Sequence, residues 1–227
     1  LRRAIRRVIL SQTETKILPV LGDAATVQMG GTQTYVFNPQ FQPAQGIGSG
    51  SRIGRKIENV QMWLSLRYTH QGVTSLLVQA AGNSRLRMLV LRTRAIKTAG
   101  IASNALQVNP SLMASSDIFR DSTGGSHVYS TVDKNKWTVI MDKTFQSALV
   151  SDAAGLTPST GRAHDVVRRK IVIPLPRSVV YRDDAAANSF STGTETYVVF
   201  VAGFLNASAL DFVGTLEVQG EIRWKDA

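Results

Sequence analysis

Cysteine is absent from all 227 residues, which excludes disulfides, thiolate metal sites and cysteine nucleophiles. That leans against a small disulfide-stapled secreted domain, although a core of this size needs no staples. No apolar run reaches the roughly 18 residues that a membrane-crossing helix requires, so no membrane span is expected. Histidine is scarce: His70, His127 and His164 fall in unrelated segments, and neither H-x-H nor H-E-x-x-H occurs. G-x-S-x-G is missing as well. The chain is therefore not expected to be an enzyme, to hold a metal or to need a cofactor. Acidic side chains are also few, 16 against 26 Lys and Arg, for a net charge of +10. An excess of that size favours an anionic partner, and charge alone does not choose between nucleic acid and an acidic membrane surface.

What the chain has is alternation. Long helical patterning is missing after residue 10, and apolar segments of period two are separated by stretches rich in Gly, Ser, Asn, Asp and Pro. The clearest strand is expected over 57–70. Val60, Met62, Leu64, Leu66 and Tyr68 fall on one face, with Asn59, Gln61, Ser65, Arg67 and Thr69 on the other. Trp63 is the exception, an apolar ring on the polar face. The segment 215–225 is equally regular. Further strands are expected over 84–94, 137–145, 169–181 and 194–204, and weaker ones over 14–20 and 127–132. The run Met88-Leu89-Val90-Leu91 breaks the alternation, as a bulge or a doubly covered strand would. Pro174 and Pro176 point to an edge or a kink in 169–181.

Eight strands joined by long connections fit a jelly-roll sandwich better than an up-and-down barrel, whose turns are short. The fold class expected is all-β, one eight-stranded jelly roll with BIDG and CHEF sheets. It would occupy residues 14–227 behind a short basic N-terminal arm, residues 1–13. The chain begins at Leu1 rather than methionine, so further upstream residues are expected.

The segment Gln45-Gly46-Ile47-Gly48-Ser49-Gly50-Ser51-Arg52-Ile53-Gly54-Arg55-Lys56-Ile57 feeds the long strand. A basic strand follows it, and later comes Lys136-Trp137-Thr138-Val139-Ile140-Met141-Asp142-Lys143. This order resembles the coat proteins of circular single-stranded DNA viruses, the circovirus-like group whose jelly roll is similar to that of satellite tobacco necrosis virus. The resemblance spans about residues 14–225 as a pattern of strands and loops, and only the two quoted segments are motif-like. It implies a structural capsid protein without enzymatic activity. Copies of the chain would be its own partners in a small icosahedral shell. Single-stranded nucleic acid, circular DNA by the resemblance, would be packaged through basic residues. The implied location is the virion, with assembly in the host nucleus or cytoplasm. The rival reading is a soluble jelly-roll binding module such as a carbohydrate-binding lectin.

Two sets of candidate site residues follow. On a helix Arg2, Arg3, Arg6 and Arg7 would share one side and Leu1, Ala4, Ile5, Val8 and Ile9 the other, which suits an arm that binds phosphates. Lys16 starts the first strand beside that arm. Arg85 and Arg87, Arg168, Arg169 and Lys170, and Arg223 and Lys225 are expected to gather on the BIDG sheet as a positive inner wall. Arg52, Arg55 and Lys56 are expected at a subunit contact or near the genome. The apolar loop residues Leu106, Leu112, Met113, Ile118, Phe119 and Leu156 are expected between subunits, because on a lone chain they would form a sticky patch.

Overall fold

A computed structural model describes residues 5, 14–28, 31–38, 46–47, 51–54, 56–70, 84–94, 106–108, 113–120, 126–147, 166–175, 178–181, 195–204 and 213–226. Its strands are β1 (Lys16–Gln28), β2 (Tyr35–Phe37), β3 (Lys56–His70), β4 (Ser84–Thr93), β5 (Gln107–Val108), β6 (Trp137–Ser147), β7 (Val166–Pro174), β8 (Ser178–Val180), β9 (Thr196–Phe204) and β10 (Val213–Asp226). One helical turn, α1 (Ser115–Ile118), lies between β5 and β6. The protein is all-β, built of two antiparallel sheets. One has the order β1-β10-β3-β7, with β8 also paired to β3. The other has the order β5-β2-β9-β4-β6.

The alternating apolar residues make the sandwich. Met62, Leu64, Leu66 and Tyr68 of β3 join Leu216, Val218, Ile222 and Trp224 of β10. They pack against Leu86, Met88 and Val90 of β4, Val198, Phe200 and Ala202 of β9, and Tyr35 and Phe37 of β2. The second sheet is apolar on its other face too. Leu89, Leu91, Tyr197, Val199 and Val201 are covered there by Met113, Ile118, Phe119, Val128, Val132 and Trp137. Hence β4 and β9 carry unbroken apolar runs, as strands covered on both faces do. A register shift between Val90 and Leu91 in the pairing with β6 adds a bulge. The prolines split one edge strand in two: β7 ends at Pro174, and β8 resumes pairing with β3 at Ser178.

Three expectations need correction. Residues 127–132 form turns rather than a strand, with a single bridge between Phe119 and Val132. Val128 and Val132 pack down onto the second sheet, and the backbone closes local bonds such as Ser130 N–H to the His127 carbonyl, 3.3 Å. The missing strand is β2, too short to reveal a period. Finally, β1 extends to Gln28 past a register shift between Val20 and Asp23.

The cover on the second sheet also overturns the expected role of its apolar residues. Met113, Ile118 and Phe119 are buried within the single chain, and Leu106 packs partly buried against the main core. Burial against their own sheet already removes Met113, Ile118 and Phe119 from water, so these three are not a surface waiting for a neighbour. Leu112 and Leu156 lie outside the described residues. Gly31 helps the cover sit close: its φ of 73° and its contact with Ser126 leave no room for a Cβ, and its carbonyl accepts the His127 N–H at 2.8 Å.

Candidate nucleic-acid interface

Only the outer face of the β1-β10-β3-β7 sheet combines regular strand geometry with a row of described cations open to solvent. Its composition follows from the period of two: the residues between the core positions of β3 and β10 point outward. Cross-strand register then sets the neighbours. Ser65 lies between Gln219 and Lys170, and Arg67 lies between Glu217 and Arg168. Trp63 lies between Glu221 and Val172.

A cleft of about 420 Å³ is lined by Ser65, Leu66, Arg67, Arg169, Lys170, Glu217 and Gln219. Arg67 and Lys170 share the outward positions with Glu217, and exposed Arg169, opposite Leu66 in register, adds a third cation to the lining. Arg67 Nη1 donates to both Glu217 oxygens, at 3.1 and 3.2 Å, in an exposed pair. Such a pair contributes about 0–1 kcal/mol, so an incoming anion can compete for the guanidinium. One step along the face, the Arg223 guanidinium lies 4.6 Å from the centre of the Trp63 ring and also pairs with Glu221. The ring stays 42% exposed. A polyanion carrying flat rings matches both the cations and the indole.

The expected cationic residues divide sharply. Arg169, Lys170, Arg223 and Lys225 belong to this sheet, and Arg168 does by register. Arg85 and Arg87 do not, because β4 belongs to the other sheet. Arg85 stacks on Tyr129 at 5.2 Å. Arg87 is 7% exposed and is spent on the fold: Nε and Nη2 donate to Asp142, and Nη1 donates to the carbonyls of His127 and Ser130. Lys16 is also buried, with Nζ 2.7 Å from the Ser51 carbonyl and 2.9 Å from Asp226. It clasps the loop before β3 to the end of β10.

Arg52 is corrected too. It is fully buried, with its guanidinium 4.6 Å from the Tyr181 ring and a hydrogen bond to the Gly54 carbonyl. Burial holds the Tyr181 phenol well above its ordinary pKa, with Arg52 pulling it the other way. A cation enclosed by its own chain is an anchor, not a contact for partner or genome. Lys56 is half-exposed and pairs with Glu58 at 2.6 Å. Arg2, Arg3, Arg6, Arg7 and Arg55 lie outside the described residues.

Sequence reasoning missed Arg67 and Trp63 as site residues. The signal was present, since both sit on the polar face of β3 and Trp63 broke its pattern.

Among the described residues no three metal-ligating side chains cluster. His127 is buried in the cover, its ring stacked on Phe119 with centroids 4.8 Å apart. Burial lowers its pKa from the ordinary 6.5. The unfolded chain thus binds this proton more readily than the folded one. The stabilisation is complete above about pH 6.5 and is lost as pH falls through the lowered folded value. Thermal unfolding followed from pH 8 to 5 should show that loss, and His127→Asn should flatten it; an unchanged pH slope in the variant refutes the assignment.

No known protein family matches the sequence, and no curated protein matches it.

Proposed function

We propose that the chain is a viral coat-protein subunit, a jelly roll that closes into a small icosahedral shell around single-stranded nucleic acid. If β1, β2, β3, β4, β6, β7 with β8, β9 and β10 are lettered B to I, the two sheets read BIDG and CHEF. That strand order supports the jelly-roll reading and the resemblance drawn from the loop before β3. The observation that carries the function is the cation-lined outer face of the BIDG sheet, which would form the positive inner wall of the shell. Its role is electrostatic and structural, not catalytic: Arg and Lys neutralise phosphates and release counterions without reading sequence. Arg2, Arg3, Arg6 and Arg7, which lie outside the described residues, would add phosphate-binding charge to that face. The simplest closed assembly is T=1, of about 60 copies.

The test is mass and content. Light scattering of the purified chain should give a megadalton particle that carries nucleic acid. Changing the four arm arginines to Ala should lower that content and reduce the log–log salt slope by roughly 0.7 for each phosphate left without its cation. A monomer or small oligomer without nucleic acid under assembly conditions overturns the reading. One observation favours the lectin-like alternative, the exposed indole of Trp63, because sugars also stack on such rings. That alternative requires binding of a neutral glycan without salt dependence.

A further inference from the structure

We propose that Trp63, backed by Arg223, is a stacking platform for an unpaired base, and that the adjoining Arg67–Arg169–Lys170 cleft takes the backbone phosphate of the same strand. The inference rests on the packaging reading and deepens it. Phosphate contacts alone would treat single strands, duplexes and other polyanions alike, whereas a platform selects strands with free bases.

The geometry argues for this pairing of roles. Trp63, Ser65 and Arg67 share one face of β3, and successive same-face residues on a strand are about 6.8 Å apart. Ser65, with Lys170 beside it, is therefore one step of about 6.8 Å from the indole and Arg67 two steps, about 13.6 Å, so a base on the ring and the phosphates that follow it along the strand can reach the cleft. Arg223 lies 4.6 Å from the Trp63 ring centre, which restrains the ring and gives the platform a cationic side. Val172, opposite Trp63 in register and 45% exposed, extends the apolar floor. Charge complementarity selects the occupant: the cleft holds three cations against Glu217 alone. A neutral sugar would use the ring but leave Arg67, Arg169 and Lys170 without a role. A base–aromatic stack is sequence-tolerant, which suits a protein that must accept a whole genome.

The protein makes the test clean. Of its three tryptophans, Trp137 and Trp224 are about 1% exposed, so quenching of indole fluorescence by a bound base reports Trp63. The full chain is titrated with oligothymidylate, with an abasic deoxyribose-phosphate strand of equal length, with duplex DNA and with a sulfated polysaccharide. Oligothymidylate should quench the fluorescence and bind about tenfold or more tightly than the abasic strand. Trp63→Ala should abolish both the quenching and that advantage, and Trp63→Phe should keep part of the advantage. Arg67→Ala, Arg169→Ala and Lys170→Ala should each lower the salt slope for oligothymidylate by roughly 0.7. Equal binding of the oligothymidylate and abasic strands without quenching overturns the platform and leaves packaging intact. Equal quenching and affinity with the sulfated polysaccharide overturn it in favour of a glycan. No binding of any strand, together with particles free of nucleic acid, overturns both readings.

Discussion

Trp137→Ala is expected to destabilise the protein by about 3–5 kcal/mol, the range for removing a large aromatic from a packed core. Trp137 starts β6 and is about 1% exposed. Its indole N–H donates to the Asp117 carbonyl at 2.8 Å, and its ring meets Tyr197 edge-on at 5.9 Å. It therefore joins α1, β6 and β9 across the second core. Truncation opens a cavity and leaves a carbonyl of α1 without its donor. Marginal stability of about 5–15 kcal/mol makes this a large share of the total. Urea unfolding should report it, and Trp137→Phe should recover part of the loss. A change under about 1 kcal/mol would mean that the cover over the second sheet adds little to the fold.

Arg87→Ala ranks next, at about 3 kcal/mol. The side chain makes four hydrogen bonds, at 3.0 and 2.7 Å to Asp142 and at 3.0 and 2.6 Å to the carbonyls of His127 and Ser130. Its guanidinium also lies 5.7 Å from the Phe119 ring. The partners decide the size of the effect. Asp142 is 40% exposed on its side chain, so water can replace the guanidinium there. The two carbonyls belong to the cover itself, the His127 contact buried and the Ser130 contact partly so, and losing the guanidinium loosens the turn that carries them. Limited proteolysis should then cut within 126–136 faster than in the parent chain. Asp142→Asn should cost clearly less than Arg87→Ala, since it leaves the carbonyl contacts in place; the reverse order would contradict this account.

These two sites mark the boundary of what the sequence reveals. Strands β3 and β10 were legible because four or more alternating apolar positions bury one face and wet the other. β4 and β9 were legible as strands from their apolar runs. The pattern of β4 could not say which sheet it enters, and Arg85 and Arg87 were misassigned for that reason. A basic residue on an outward position is solvated only if no loop covers it, and the cover over Arg87 comes from residues about 40 positions later. Arg52 misled in the same way, since its enclosing ring is Tyr181. β2 hid because three buried residues carry no period. Residues 127–132 deceived because β-branched and aromatic residues favour strands only where a pleated neighbour receives them. The cleft was legible in part: Arg169, Lys170 and Arg223 were named, but Arg67 and Trp63 join them only once β7 and β10 flank β3.

The place of β10 between β1 and β3 has a temporal consequence. Register couples Lys16 to Trp224 and Leu64 to Gly220, pairs separated by most of the chain. Pairings this distant close slowly, because loop entropy is lost before any contact compensates it. A nascent chain lacking β10 holds β1 and β3 with no strand between them, and it also lacks Arg223 and Glu217. The second sheet and its cover need nothing beyond β9, so they can form earlier during synthesis. The cation-lined face is thus the last part of the molecule to exist. A growing or broken chain would carry a folded half without it, and only a chain translated through β10 would present it complete.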